Sequence, residues 1–371
     1  MATRIALFGT KFMGKAHSQA YRNVNRFFPD SEPIEMKVIV GRNANETEQA
    51  RQALGWQEAS TDWKGVMARD DIDVVDISTP GDMHCGMALE AAKQGKDIIC
   101  EKPLANTLPE ARQMLDAVKS AGVRHFLMHN YRRCPAVVQA KKMIDEGRLG
   151  RIFHFRARYL QDWAMSEDLH ALWRFSKKSA GSGALGDLGA HIVDLGRNLC
   201  GEISDVTAAM ETFIKERPIA PGSPEKQAVD VDDAAVACVR FESGAIGTLE
   251  ATRFATGRKN HNTFEINGSK GSLVWDLENL NNLQYFDSGA AADAQGFSTI
   301  ICCAPEHPYG GAWWPDGHII GYEHSFTHSV YDFLKGGNRV QPDFEDGVRN
   351  QLVLAAIEEA AESRQWVAVG S

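Results

Sequence analysis

Along the first 128 residues, short apolar runs alternate with longer stretches in which apolar positions recur every three or four residues. Strands are expected at 4–8, 36–40, 73–77, 97–100 and 125–129, and helices at 15–27, 46–54, 83–94 and 108–121. Gly55 and Gly95 stand where two of those helices should stop. Strands alternating with helices of this length predict a parallel, doubly wound sheet. In such a sheet the ligand lies beyond the carboxyl ends of the strands.

After about residue 150 the pattern changes. Strands are expected at 151–159, 206–214, 234–241, 245–252, 263–266 and 272–275, with turns at Glu242-Ser243-Gly244 and Asn267-Gly268. Neighbouring strands without helices between them predict a large, mainly antiparallel open sheet. Helices are expected at 187–199 and 347–363. The fold class is therefore α/β with two domains, 1–128 and 129–371, the 347–363 helix being free to pack back on the first. A length of 371 residues suits that division.

Composition narrows the function classes. A net charge of −9 and the lack of any Lys/Arg run argue against a nucleic-acid partner. No apolar stretch reaches the ~18 residues of a bilayer span. The opening MATRIALFGT enters a strand without an apolar leader. Seven cysteines without a C-x-x-C pair read as reduced residues of a cytoplasmic protein. Cys302-Cys303 and His307, His318 and His324 have no ligand spacing, so no metal is expected.

The turn after the first strand reads GTKFMGKAHSQA from Gly9. A dinucleotide turn wants three glycines: one to turn, one for backbone approach to the pyrophosphate, one for helix–strand packing. Gly9 and Gly14 fill the first and third places, and Lys11 stands in the second. Lys11, Phe12 and Met13 would then carry the backbone that faces phosphate. Taken alone, the stretch fits an ordinary strand-to-helix turn equally well. The second strand ends in Val40-Gly41-Arg42-Asn43, with no carboxylate for a ribose. Arg42 suits the 2′-phosphate of NADP, and Asn43 suits a plain ribose hydroxyl.

Lys102 lies in Glu101-Lys102-Pro103, at a strand end. A partly desolvated lysine can exchange a proton near neutral pH. The stretch AGSGALGDLGAHIVD, 180–194, leads through glycines into a helix with Asp187 and His191 at i and i+4, on one face. A capping Asp and a packed His would be the plain alternative.

The Gly9 turn, Ser78-Thr79-Pro80 with His84, Glu101-Lys102-Pro103 and GALGDLGAH at 183–191 together resemble the glucose–fructose oxidoreductase and inositol dehydrogenase (Gfo/Idh/MocA) family, over essentially the whole chain. NYRR at 130–133, YLQDW at 159–163, WRF at 173–175 and HPYG at 307–310 with Trp314-Pro315 resemble its sugar 3-dehydrogenases. The resemblance implies a Rossmann domain and a sheet domain whose outer face makes homodimers or homotetramers. It implies Lys102, Asp187 and His191 as the catalytic set. It places Ser78, Thr79, Pro80, His84 and Asn130 along the cofactor and Glu101 near the nicotinamide ribose. The expected reaction moves a hydride between the cofactor and a secondary hydroxyl, at C3, of a sugar, anhydrosugar or glycoside. Tyr131, Gln161, Trp163, Trp173, His318 and Tyr322 are the further sugar-binding candidates, because rings stack on apolar C–H faces and polar groups pair with hydroxyls. The resemblance favours NAD, while Gly41-Arg42 leaves NADP open. Two rival readings are a redox-assisted glycosidase, with Tyr131 removing a C2 proton, and a non-catalytic sugar or nucleotide sensor.

Overall fold

The computed structural model describes residues 2–337 and 340–370. Its helices are α1 (Phe12–Phe27), α2 (Ala44–Leu54), α3 (Trp63–Met67), α4 (His84–Lys93), α5 (Leu108–Ala121), α6 (Pro135–Asp145), α7 (Lys177–Ala180), α8 (Ala190–Cys200), α9 (Tyr322–Lys335) and α10 (Phe344–Ser363). The chain forms two compact units: Met1–Arg133 with Gly321–Arg349, and Cys134–Ile320 with Asn350–Ser371. The sequence pattern predicts one boundary, after residue 128. The contacts return α9 to the first unit instead, because Phe326, Val330 and Phe333 pack into a core shared with Val24 of α1 and Phe126.

In the first unit, β1 (Thr3–Phe8), β2 (Ile34–Val40), β3 (Glu58–Ser60), β4 (Val74–Ile77), β5 (Asp97–Glu101) and β6 (His125–Met128) form one sheet in the order β3-β2-β1-β4-β5-β6. Every pair is parallel. Ile5, Leu7, Val74 and Ile99 are fully buried, as strands covered on both faces require. The order reverses between β1 and β4, which opens a crevice at their carboxyl ends. α2 stops at Gly55, whose φ of 81° is left-handed, where the glycine in the sequence marked an end.

In the second unit, β7 (Ile152–Leu160), β8 (Ile203–Glu211), β9 (Glu216–Pro218), β10 (Lys226–Ala228), β11 (Ala234–Phe241), β12 (Ile246–Thr252), β13 (His261–Gly268), β14 (Gly271–Asp276), β15 (Asn282–Asp287), β16 (Ser298–Ile301) and β17 (Val367–Ala368) are present. β9 and β10 pair alone, and the rest form a nine-stranded sheet in the order β16-β15-β14-β13-β7-β12-β11-β8-β17. Only β7 and β12 run parallel among its described pairs. β11 alternates buried Ala235, Ala237 and Val239 with exposed Val236, Cys238 and Arg240, the signature of a sheet covered on one face. The helix expected at 187–199 begins as a π turn, Leu185–Gly189, and continues as α8. Such turns recur at functional sites because they shift the phase of the helix face.

Candidate active site

In the first unit, Gly9 leaves β1 with φ 129°. A Cβ on it would lie 2.5 Å from the Ser78 carbonyl oxygen, and one on Gly14 would lie 2.2 Å from the Gly9 carbonyl oxygen. Glycine at both places lets β1, α1 and the end of β4 close on one another. The first turn of α1 has no side-chain cap and no acidic residue. Its leading N–H groups therefore fit a pyrophosphate. Lys11 does not fill that space with its side chain: its Nζ is 2.5 Å from Glu46 Oε2 on α2 in an exposed ion pair. Glu46 thus brings a carboxylate to the region where the end of β2 has none. Arg42 is exposed. Asn43 caps α2 by accepting the Glu46 N–H at 3.0 Å.

Ser78, Thr79 and Pro80 are half-buried at the end of β4. His84 is buried, with its ring nitrogens 3.0 Å from the Pro103 and 3.0 Å from the Thr79 carbonyl oxygens, so it braces the two loops after β4 and β5. Glu101 is buried, and its Oε2 accepts the Lys102 N–H at 3.1 Å. Lys102 itself is half-buried. Asn130 donates to Ser325 Oγ at 2.9 Å. Beside the turn, the Tyr322 ring stacks on Phe12 at 6.1 Å and meets buried Tyr131 at 6.3 Å.

In the second unit, a Cβ on Gly183 would lie 1.8 Å from the Asp232 carbonyl oxygen. The Asp232 carboxylate accepts the N–H groups of Gly183 at 2.6 Å and Leu185 at 2.8 Å, which anchors the π turn. Asp187, on that turn, accepts from Arg253 Nη2 at 3.0 Å and lies 4.0 Å from Arg174 Nε. Arg253 is buried, donates to the Arg174 carbonyl at 3.3 Å and stands 5.1 Å from the Trp163 ring centroid. A second buried arginine, Arg217, donates to the carbonyls of Ala164 at 2.6 Å and Ser166 at 2.7 Å and covers the Phe175 ring at 4.2 Å. Burial pulls the Arg217 guanidinium down from its ordinary pKa.

His191 is buried, its ring 5.7 Å from that of Tyr159. Tyr159 OH and Gln161 Nε2 both donate to Asn260 Oδ1, at 2.7 and 2.8 Å. Trp163 Nε1 donates to Gln161 Oε1 at 2.9 Å. Gln161 is thus engaged at both ends of its amide, and Trp163, Leu169 and Leu172 pack against the buried cluster of Ala164, Phe175, Val229 and Val231. Trp173 is 41% exposed and carries the Arg174 guanidinium 4.5 Å over its ring. His318 is exposed, its Nδ1 2.9 Å from the Pro315 carbonyl.

The sequence does not single out Arg217, Asp232 or Arg253. Each joins segments far apart in the chain, and the only cue was a charged residue beside an apolar run. His261, Asp276 and Glu278 bring ligand atoms within 4.8 Å of one another. Arg258 Nη1, 3.5 Å from His261 Nδ1 and 3.8 Å from Glu278 Oε2, already supplies a cation there.

Residues 3–129 match the family model described as an oxidoreductase family with an NAD-binding Rossmann fold, and residues 137–274 match the GFO/IDH/MocA C-terminal domain. Levoglucosan dehydrogenase of Pseudarthrobacter phenanthrenivorans is 43% identical over 98% of this chain and 97% of that relative. Its solved complex with NADH and levoglucosan superposes with a TM-score of 0.96 at 43% identity, covering 100% of both chains. An oxidoreductase domain protein from Kribbella flavida gives a TM-score of 0.97 at 46% identity, again over 100% of both chains.

Proposed function

The chain belongs to the Gfo/Idh/MocA oxidoreductase family, and we propose that it is an NAD-dependent dehydrogenase acting on a secondary hydroxyl, at C3, of a sugar or anhydrosugar. The likeness to levoglucosan dehydrogenase over 98% of the chain carries this reading. The uncapped first turn of α1 and the close packing at Gly9 and Gly14 fit the cofactor. Glu46, paired with Lys11, favours the plain ribose of NAD over a 2′-phosphate, which its carboxylate would repel.

NAD, held at the first turn of α1, would supply the acceptor for the hydride given up by the sugar carbon. The Lys102 ammonium polarises the hydroxyl oxygen and stabilises the negative charge that develops on it. A ring nitrogen of His191 takes the hydroxyl proton, leaving a carbonyl. Asp187 orients the sugar by accepting from a neighbouring hydroxyl; its ion pair with Arg253 keeps the carboxylate in place. Trp173 offers an exposed ring for an apolar sugar face. Exposed Val236 and Ile246, on adjacent strands of the open sheet face, fit a second copy of the chain in a homodimer or homotetramer. The seven free cysteines suit the cytoplasm.

A panel of monosaccharides, anhydrosugars, inositols and glycosides, each with NAD and with NADP, tests the reading by nicotinamide absorbance. NMR of the product identifies the oxidised carbon. Release of the aglycone from an aryl glycoside with trace NAD and no net NADH would replace it with the redox-assisted glycosidase.

A further inference from the structure

One buried cluster of ionisable groups contains a histidine that takes no part in the chemistry above. His17, on the second turn of α1, is 0% exposed. Its Nδ1 lies 2.7 Å from Asp76 Oδ2 on β4, and its Nε2 lies 3.0 Å from Glu101 Oε1 at the end of β5. Tyr21 OH donates to the same Asp76 oxygen at 2.5 Å, and Ser78 Oγ donates to Asp76 Oδ1 at 3.2 Å. Phe326 of α9 meets the imidazole 5.4 Å away. The ionisable groups facing the ring are therefore Asp76 and Glu101, with Ser78 Oγ 3.4 Å from Nδ1 and Tyr21 reaching Asp76.

Two carboxylates turned toward one imidazole in a dry site need a cation between them. Burial alone would strip the proton from His17, but the charges and hydrogen bonds of Asp76 and Glu101 outweigh it and push the ring up to about 10. Burial and the Asp76 charge push Tyr21 well above its ordinary value, so it stays a neutral donor. An imidazolium donates from both nitrogens, and both are engaged here.

We infer that His17, as an imidazolium, is a positioning residue for the cofactor: through Asp76 and Glu101 it ties the end of β4 to the end of β5, and so fixes Ser78, Glu101 and Lys102. The inference rests on the reading that Ser78, Glu101 and Lys102 meet NAD. A raised folded pKa means that the stabilisation is complete below the ordinary histidine value and is lost as pH rises through about 10. Cofactor affinity should follow the same course.

The test is NADH titration of the full chain by fluorescence, across pH, for the wild type, His17→Gln and the double variant His17→Gln/Asp76→Asn. His17→Gln should weaken NADH binding about ten-fold and abolish the fall toward pH 10. The double variant removes one of the two facing carboxylates and should regain thermal stability without regaining NADH affinity, because Glu101 is still not clamped. His17→Gln binding NADH as tightly as the wild type, with the same pH profile, overturns the inference. A wild type that binds no NADH overturns the cofactor reading and this inference with it. If His17→Gln does not fold, the imidazole ¹⁵N shifts of the wild type decide: two protonated nitrogens at about pH 8 support the role, and a neutral ring at that pH overturns it.

Discussion

In the first unit, the turn at Gly9 and Gly14 and the contact of Glu101 with the Lys102 N–H are made within a few positions of the chain, while Asn130 and Glu101 also reach the distant Ser325 and His17. In the second, Asp187 and Gln161 are held by partners from distant segments. Asp187 leans on Arg253, 66 positions away, and the 164–166 backbone hangs on Arg217, about fifty positions away. A parallel sheet delivers its strand ends to one edge, so local turns suffice to build a ligand cradle there. A mixed sheet of nine strands has no such edge, and its irregular loop needs buried donors to satisfy its carbonyls.

The contrast extends to buried charge. His17 and His328 are both 0% exposed in the first unit. His17 faces two carboxylates, while His328 donates from Nδ1–H to the Arg133 carbonyl, 2.8 Å away, and burial lowers it to about 3. The same burial therefore supports a cation at one site and a neutral ring at the other, decided by the facing groups.

If the groups assigned to the cofactor and those assigned to the sugar act separately, variants should separate the two functions. Lys102→Ala should reduce kcat by about three orders of magnitude with NADH binding retained, measured by initial rates and fluorescence titration. Persistent turnover would remove Lys102 from the mechanism. Arg253→Met should leave Asp187 without its buried partner and lower kcat/KM for the sugar by about ten- to a hundred-fold, with NADH affinity unchanged. An equal loss in both would break the division. Gly14→Ala forces a Cβ against the Gly9 carbonyl and should do the reverse, weakening NADH by about ten-fold with little change in sugar KM at saturating NAD. The smallest effect is expected from His328→Gln. Because the folded pKa lies near 3, the wild type loses stability as pH falls from the ordinary histidine value toward 3, and the variant should flatten that part of an acid-unfolding curve.

The alternation of strand and helix over the first 128 residues and the change of period near 150 are readable along the chain because each rests on side-chain period, and the catalytic candidates Lys102, Asp187 and His191 are readable through the resemblance of their motifs to a known family. The incomplete glycine turn at Gly9 is readable too, and the structure packs its first glycine closely on the Ser78 backbone. Only the tertiary structure decides the rest. It turns the Lys11 side chain to Glu46, replaces the expected start of a regular helix at Asp187 by a π turn anchored on Asp232, and assigns α9 to the first unit. It also decides which buried groups are charged. Those outcomes depend on which distant carboxylate, carbonyl or guanidinium arrives at each side chain, and a linear pattern carries no term for that encounter.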